Sequence, residues 1–181
     1  MNRYHALTLY SISIITTGII LILLAYNPSI AIQYTVAIGM IVSAGFAAIT
    51  AYKCKGYQIP FKYHLIHAIG MFIYGFVVLF FATNIQNFFQ ITTLFLLYYG
   101  FTEIIFCLEI LMMRDSKVLQ LVSIRLFIGL VILVGAAIVL STSYLDQNIA
   151  LVGAGIVFVF SGINLMLFKT VLVKLVKGFN D

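Results

Sequence analysis

The chain has 181 residues, 64% of them hydrophobic and only 8% charged, with a mean hydropathy of +1.17. A soluble domain carries about 25% charged residues, and ten basic plus five acidic side chains cannot coat a globule of this size in water. A soluble fold and a disordered chain are both excluded, and lipid is the expected solvent.

Four runs contain no Asp, Glu, Lys or Arg: residues 4–52, 63–102, 126–145 and 147–168. A spanning helix needs about 20 mostly apolar residues, so each of the first two runs holds two spans and a turn. The first turn falls at Asn27-Pro28-Ser29, where proline cannot continue a helix. The second falls at Thr83-Asn84-Ile85-Gln86-Asn87. The last two runs are separated by the polar segment from Ser141 to Asn148 around Asp146. These breaks predict six helices, at about 6–26, 30–52, 63–83, 89–113, 118–140 and 148–172. The expected fold is an all-α membrane protein, one six-span domain over residues 1–181. A β-barrel would alternate polar and apolar residues in segments of about ten. The first apolar stretch is longer than a signal-peptide core and no small-residue cleavage site follows it, so it is expected to stay as the first span.

Nine of the ten cations fall in alternate loops or at the chain ends: Arg3; Lys53, Lys55 and Lys62; Arg114 and Lys117; Lys169, Lys174 and Lys177. The opposite side carries only Asp146. The positive-inside rule then puts both termini in the cytoplasm. The basic edge faces anionic headgroups, so membrane lipids are the expected partners and no nucleic acid is needed to explain the charge. There is no Trp, and the interfacial belt falls to tyrosine: Tyr26, Tyr34 and Tyr144 at the outer boundary, Tyr4, Tyr52, Tyr57 and Tyr63 at the inner one. Cys54 and Cys107 have no ligand spacing and lie away from an oxidising compartment, so neither a disulfide nor a metal site is expected.

The helices read as three tandem helical hairpins, over about 6–52, 63–113 and 118–172, with glycines recurring at similar intervals: Gly18 and Gly45, Gly75 and Gly100, Gly135 and Gly162. In the second helix Thr35, Gly39, Ser43, Ala47 and Ala51 recur every four residues and form one ridge. Lipid gives no hydrophobic reward for helix association, and small residues supply close contact instead. The ridge is therefore expected to face another helix of the chain or a second copy of it. A weaker version follows at Ala150, Ala154 and Gly162.

A helix with Gly18, a short turn with Pro28, a second helix with Gly39 and Gly45 and then a basic edge, repeated three times with Gly129, Gly153 and Gly162 in the last copy, resembles the HdeD family of bacterial acid-resistance membrane proteins. The likeness covers nearly the whole chain. The second copy departs from it, with Asn84 and Asn87 where a proline would stand. The resemblance implies a six-span protein of the bacterial inner membrane linked to acid stress, with no catalytic residue to carry over.

Ionisable groups inside spans are costly and point to function. Glu103 lies about ten residues from the cytoplasmic end of its helix, roughly 15 Å deep at 1.5 Å per residue. Glu109 lies nearer that end. Arg125 is about seven residues into the fifth helix, at the expected depth of Glu109, across the short turn at Asp115-Ser116-Lys117. His64 and His67 share one face of the third helix with Met71 and Tyr74. In one reading Arg125 pairs with a glutamate and the histidines reach the headgroups. In the other, Glu103, His64 and His67 exchange protons and sense cytoplasmic acid. There is no phosphate loop, metal-ligand spacing or Ser/His/Asp set, so neither enzyme activity nor a cofactor is expected. A small transporter or channel with its site near Glu103 and Arg125 is the rival function.

Overall fold

The computed structural model describes residues 3–26, 31–112 and 116–178. They form six helices and no strand: α1 (Arg3–Leu24), α2 (Ala31–Lys53), α3 (Gln58–Phe81), α4 (Ile85–Met112), α5 (Ser116–Ser143) and α6 (Gln147–Gly178). Each contains a segment long and apolar enough to cross a bilayer. The turn at Asn27-Pro28-Ser29, the pair Arg114 and Asp115, and the side chains of Arg3, Tyr4, Lys117, Lys174 and Lys177 lie outside the described residues.

The helix ends differ from expectation by up to six residues, and three of the differences have a visible local reason. Helix α3 starts before Pro60, not after it; in a first turn proline lacks only an N–H that has no partner anyway. Helix α4 starts at Ile85 because Asn84 caps it, its Oδ1 accepting from the Asn87 N–H at 2.8 Å. Helix α5 runs on to Ser143. Ser141, Thr142 and Ser143 donate their hydroxyls to carbonyls of the preceding turn, so a polar triplet that reads as a loop remains helical. Asp146 then caps α6 through the N–H groups of Asn148 and Ile149.

Consecutive helices pack side by side, and α6 returns to pack on α1, closing a ring. The glycine contacts sort by seam. Between α1 and α6, a methyl on Gly18 would stand 2.6 Å from the Gly155 carbonyl oxygen, and one on Gly162 2.9 Å from that of Ser11. Between α2 and α3, a methyl on Gly75 would stand 2.9 Å from the Ala37 carbonyl. Between α4 and α5, one on Gly100 would meet the Leu133 side chain at 2.6 Å and stand 3.3 Å from the Gly129 carbonyl. In these three seams a backbone carbonyl of the facing helix is among the nearest atoms. In the alternate seams glycine meets side chains instead: Gly39 meets Thr17, Gly70 meets Tyr98, and Gly135 meets Val157. Gly45 meets nothing.

The ridge on α2 turns toward α1. Gly39 accommodates Thr17, and Ser43 donates to the Ser13 hydroxyl at 2.9 Å. Ser43, Ala47 and Ala51 are buried, while Thr35 is half-buried. Ala150 and Ala154 are buried too, and Gly162 faces α1. The outside of the ring is apolar, with Ile66, Ile73, Phe76, Phe127 and Val134 exposed.

Candidate functional site

The scarce polar side chains gather at one level inside the ring. Arg125 on α5 and Glu103 on α4 are both fully buried, and the guanidinium Nη2 lies 2.7 Å from the carboxylate Oε2. The close approach of Gly100 to Gly129 brings the two helices together at this level. Tyr63 on α3 completes a triangle: its hydroxyl accepts from Arg125 Nη2 at 3.0 Å and donates to Glu103 Oε1. Asn164 on α6 accepts from Arg125 Nε at 3.4 Å. The guanidinium also sits 4.7 Å from the Phe168 ring centre and 5.2 Å from that of Phe106. A buried ion pair is tolerable only when its remaining donors and acceptors are met, and here two further helices, α3 and α6, help to meet them.

His67 extends the network to α1. Its Nε2 lies 3.0 Å from the Thr102 hydroxyl, and its Nδ1 lies 3.3 Å from the Tyr10 hydroxyl. The Thr102 hydroxyl gives its proton to the Tyr99 carbonyl, so it accepts from His67. That assigns the imidazole as neutral with its proton on Nε2, leaving Nδ1 to accept from Tyr10. A second proton on His67 would force the Tyr10 hydroxyl to turn away. His64 lies one step along the helix, edge-on to Phe168 at 4.9 Å, and neither of its nitrogens is hydrogen-bonded. Arg125 Nη1 and Asn164 Nδ2 are also buried without a partner.

The two directions away from this network differ. Toward the Asp146 end, Tyr74 and Phe95 stack at 4.3 Å and Phe158 packs beside them, filling the interior with rings. Toward the Lys-bearing end, a cleft of about 220 Å³ opens between α3 and α4, lined by Lys62, Tyr63, His67, Thr102 and Glu109. Tyr63, His67 and Thr102 thus border an opening at the Lys-bearing end of the bundle.

Several expectations need correction. Arg125 pairs with Glu103, not with the residue expected at its depth, Glu109. Because α4 ends at Met112 and α5 begins at Ser116, Glu103 stands nine residues before the turn and Arg125 nine after it. Glu109 is exposed in the cleft, outside the buried network. The histidines do not reach the headgroups, since both are buried. Tyr63 is no interfacial anchor; it is 4% exposed and bonded to the ion pair, whereas Tyr26, Tyr34, Tyr52 and Tyr144 are exposed. Tyr10, Thr102 and Asn164 escaped the sequence reading. Asn164 carried a signal, as a lone amide in an apolar span. So did Tyr63, four residues before His67 and therefore on its face.

No family model, curated protein or solved structure matches this chain. The fold and site therefore define the protein by class alone: a multi-pass membrane protein, all helical, whose six-helix ring is joined inside by a buried carboxylate–guanidinium pair.

Proposed function

We propose that the chain is a non-enzymatic protein of the bacterial inner membrane, of the HdeD-like kind, that acts in acid or envelope stress by coupling protonation near the cytoplasmic face to the packing of its bundle. One observation carries this reading: the fully buried Glu103–Arg125 pair is bridged by Tyr63 and lies beside His67, which a cleft at the Lys-bearing end reaches. A proton on Glu103 removes the partner of a guanidinium that keeps its charge. A proton on His67 reverses its bond to Tyr10. Either change loosens contacts among α1, α3, α4 and α5. The test is infrared spectroscopy of the reconstituted protein during acid titration, joined to survival of cells carrying Glu103→Gln. A carboxylic-acid band that grows with acidification and vanishes in the variant, with lowered acid survival, is expected. A band independent of Glu103, with wild-type survival, would falsify the sensing role.

The transporter reading keeps one specific support. Arg125 Nη1, Asn164 Nδ2 and both nitrogens of His64 are buried and unspent, as the lining of a polar solute site would be. Proton or solute flux into the same vesicles, abolished by Asn164→Leu, would favour it over sensing.

The cation pattern sets the orientation in this proposal. A reporter joined after Asn84 is expected outside the cytoplasm, and one joined within the loop at Lys55 inside it. Reversed results overturn the topology.

A further inference from the structure

We infer that the outer face of the α3–α4 seam binds a phospholipid whose headgroup carries both a phosphate and a primary ammonium, with Lys62 holding the phosphate and Glu109 the ammonium. The inference needs only that the helices cross a membrane, and it stands whether or not the buried network senses acid.

Two openings lie along this seam. The first is the cleft of about 220 Å³ at the Lys-bearing end, whose rim holds Lys62 and Glu109. The second, of about 380 Å³, continues along the same helices and is lined by Ile69, Ile73, Val77, Ile91 and Leu94. Tyr98 lines the second opening, and Ile66, to which it bonds, lines the first. The Tyr98 ring packs against Gly70 and donates its hydroxyl to the Ile66 carbonyl at 2.8 Å. From Lys62 to Val77 is fifteen residues, about 22 Å of helix at 1.5 Å per residue. One leaflet with its headgroups is also about 20–22 Å thick. The seam therefore has the length of one lipid, with charge at the headgroup end and hydrocarbon beyond.

The charges identify the headgroup. Lys62 and Glu109 are both exposed in one small cleft, and no ion pair joins them among the described residues. A cation and an anion side by side match a ligand carrying the opposite pair. A phosphatidylglycerol headgroup meets Lys62 but offers Glu109 no cation. A choline headgroup offers a cation without an N–H to donate. An ethanolamine headgroup satisfies both. The groove between α5 and α6 makes the contrast: it is of similar size, about 430 Å³, and is lined from Phe127 to Phe160 by apolar residues and glycine alone. It can hold an acyl chain but cannot select a headgroup.

The test is native mass spectrometry of the delipidated protein in neutral detergent, offered equal amounts of phosphatidylethanolamine, phosphatidylglycerol and phosphatidylcholine with identical chains. Ethanolamine lipid is expected to be retained about fivefold over the other two, the effect of one charge pair at a wet interface. Glu109→Gln is expected to erase that preference. Lys62→Gln is expected to lower retention of all three alike. Both side chains are exposed, so the substitutions leave the bundle folded, as helical circular dichroism would record. Equal retention by the wild type, or a preference that survives Glu109→Gln, overturns the inference.

Discussion

Replacing Arg125 with Met while Glu103 stays is expected to destabilise the bundle by about 3–5 kcal/mol, because it leaves a fully buried carboxylate without its cation. Glu103→Leu is expected to cost as much by stranding the guanidinium. The two losses should differ with pH. A lone carboxylate can take up a proton and become neutral, so the deficit of Arg125→Met shrinks as pH falls. Arginine does not shed its proton, so the deficit of Glu103→Leu persists. The double variant is expected to lose only about 1–3 kcal/mol, chiefly for the Tyr63 hydroxyl left without either partner. Equilibrium unfolding in mixed micelles measures all three. Additive losses, or single losses below about 1 kcal/mol, would show that the pair does not hold α4 to α5.

The same pairing makes the Glu103–Arg125 contact selective as well as stabilising. Hydrophobic contact cannot choose between alternative packings of apolar helices in lipid, since the tails are as apolar as leucine. A charge with one acceptable partner can. Arg125 is met by groups from α3, α4 and α6, and His67 adds α1. Five of the six helices are thereby tied at one level. The histidine that links them lines the cleft at the Lys-bearing end.

The sequence makes the architecture plain because membrane crossing is a property of composition over about 20 residues, and composition survives any detail of packing. The uncharged runs therefore mark the six helices directly. Boundaries were harder where hydroxyls were involved. Ser141, Thr142 and Ser143 look like a turn by polarity but satisfy themselves on their own helix. The charged members of the site stood out, since an ionisable residue in a span is rare. Their partners did not. Tyrosine belongs equally to a membrane boundary and to a core, and only the turn of α3 after Gln58 decides that Tyr63 faces inward. Depth mattered as much as identity: with α4 ending at Met112 and α5 beginning at Ser116, Arg125 stands level with Glu103 and six residues deeper than Glu109.

Glycine variants should divide by seam. Gly18→Ala is expected to cost about 1–3 kcal/mol, and Gly155→Ala a similar amount. Each new methyl would stand 2.6 Å from the carbonyl oxygen of the other glycine. No rotamer change relieves a clash with backbone, so α1 and α6 must move apart along the seam that closes the ring. Seven residues separate Ser11 from Gly18 and Gly155 from Gly162, two turns on each helix. The strain therefore spreads to the second close contact, where Gly162 meets the Ser11 carbonyl. At Gly39→Ala the nearest atoms belong to the side chain of Thr17, whose Oγ1 can rotate away, and the change is expected to cost less. Gly45→Ala meets nothing within 4 Å. It is expected to stabilise the protein by about 0.5–1 kcal/mol, because alanine suits a helix interior better than glycine. Unfolding in mixed micelles ranks the four. If Gly18→Ala and Gly45→Ala gave equal stability, close backbone approach would not be what binds the first helix to the last, and the ring would have to be held shut by its interior polar network alone.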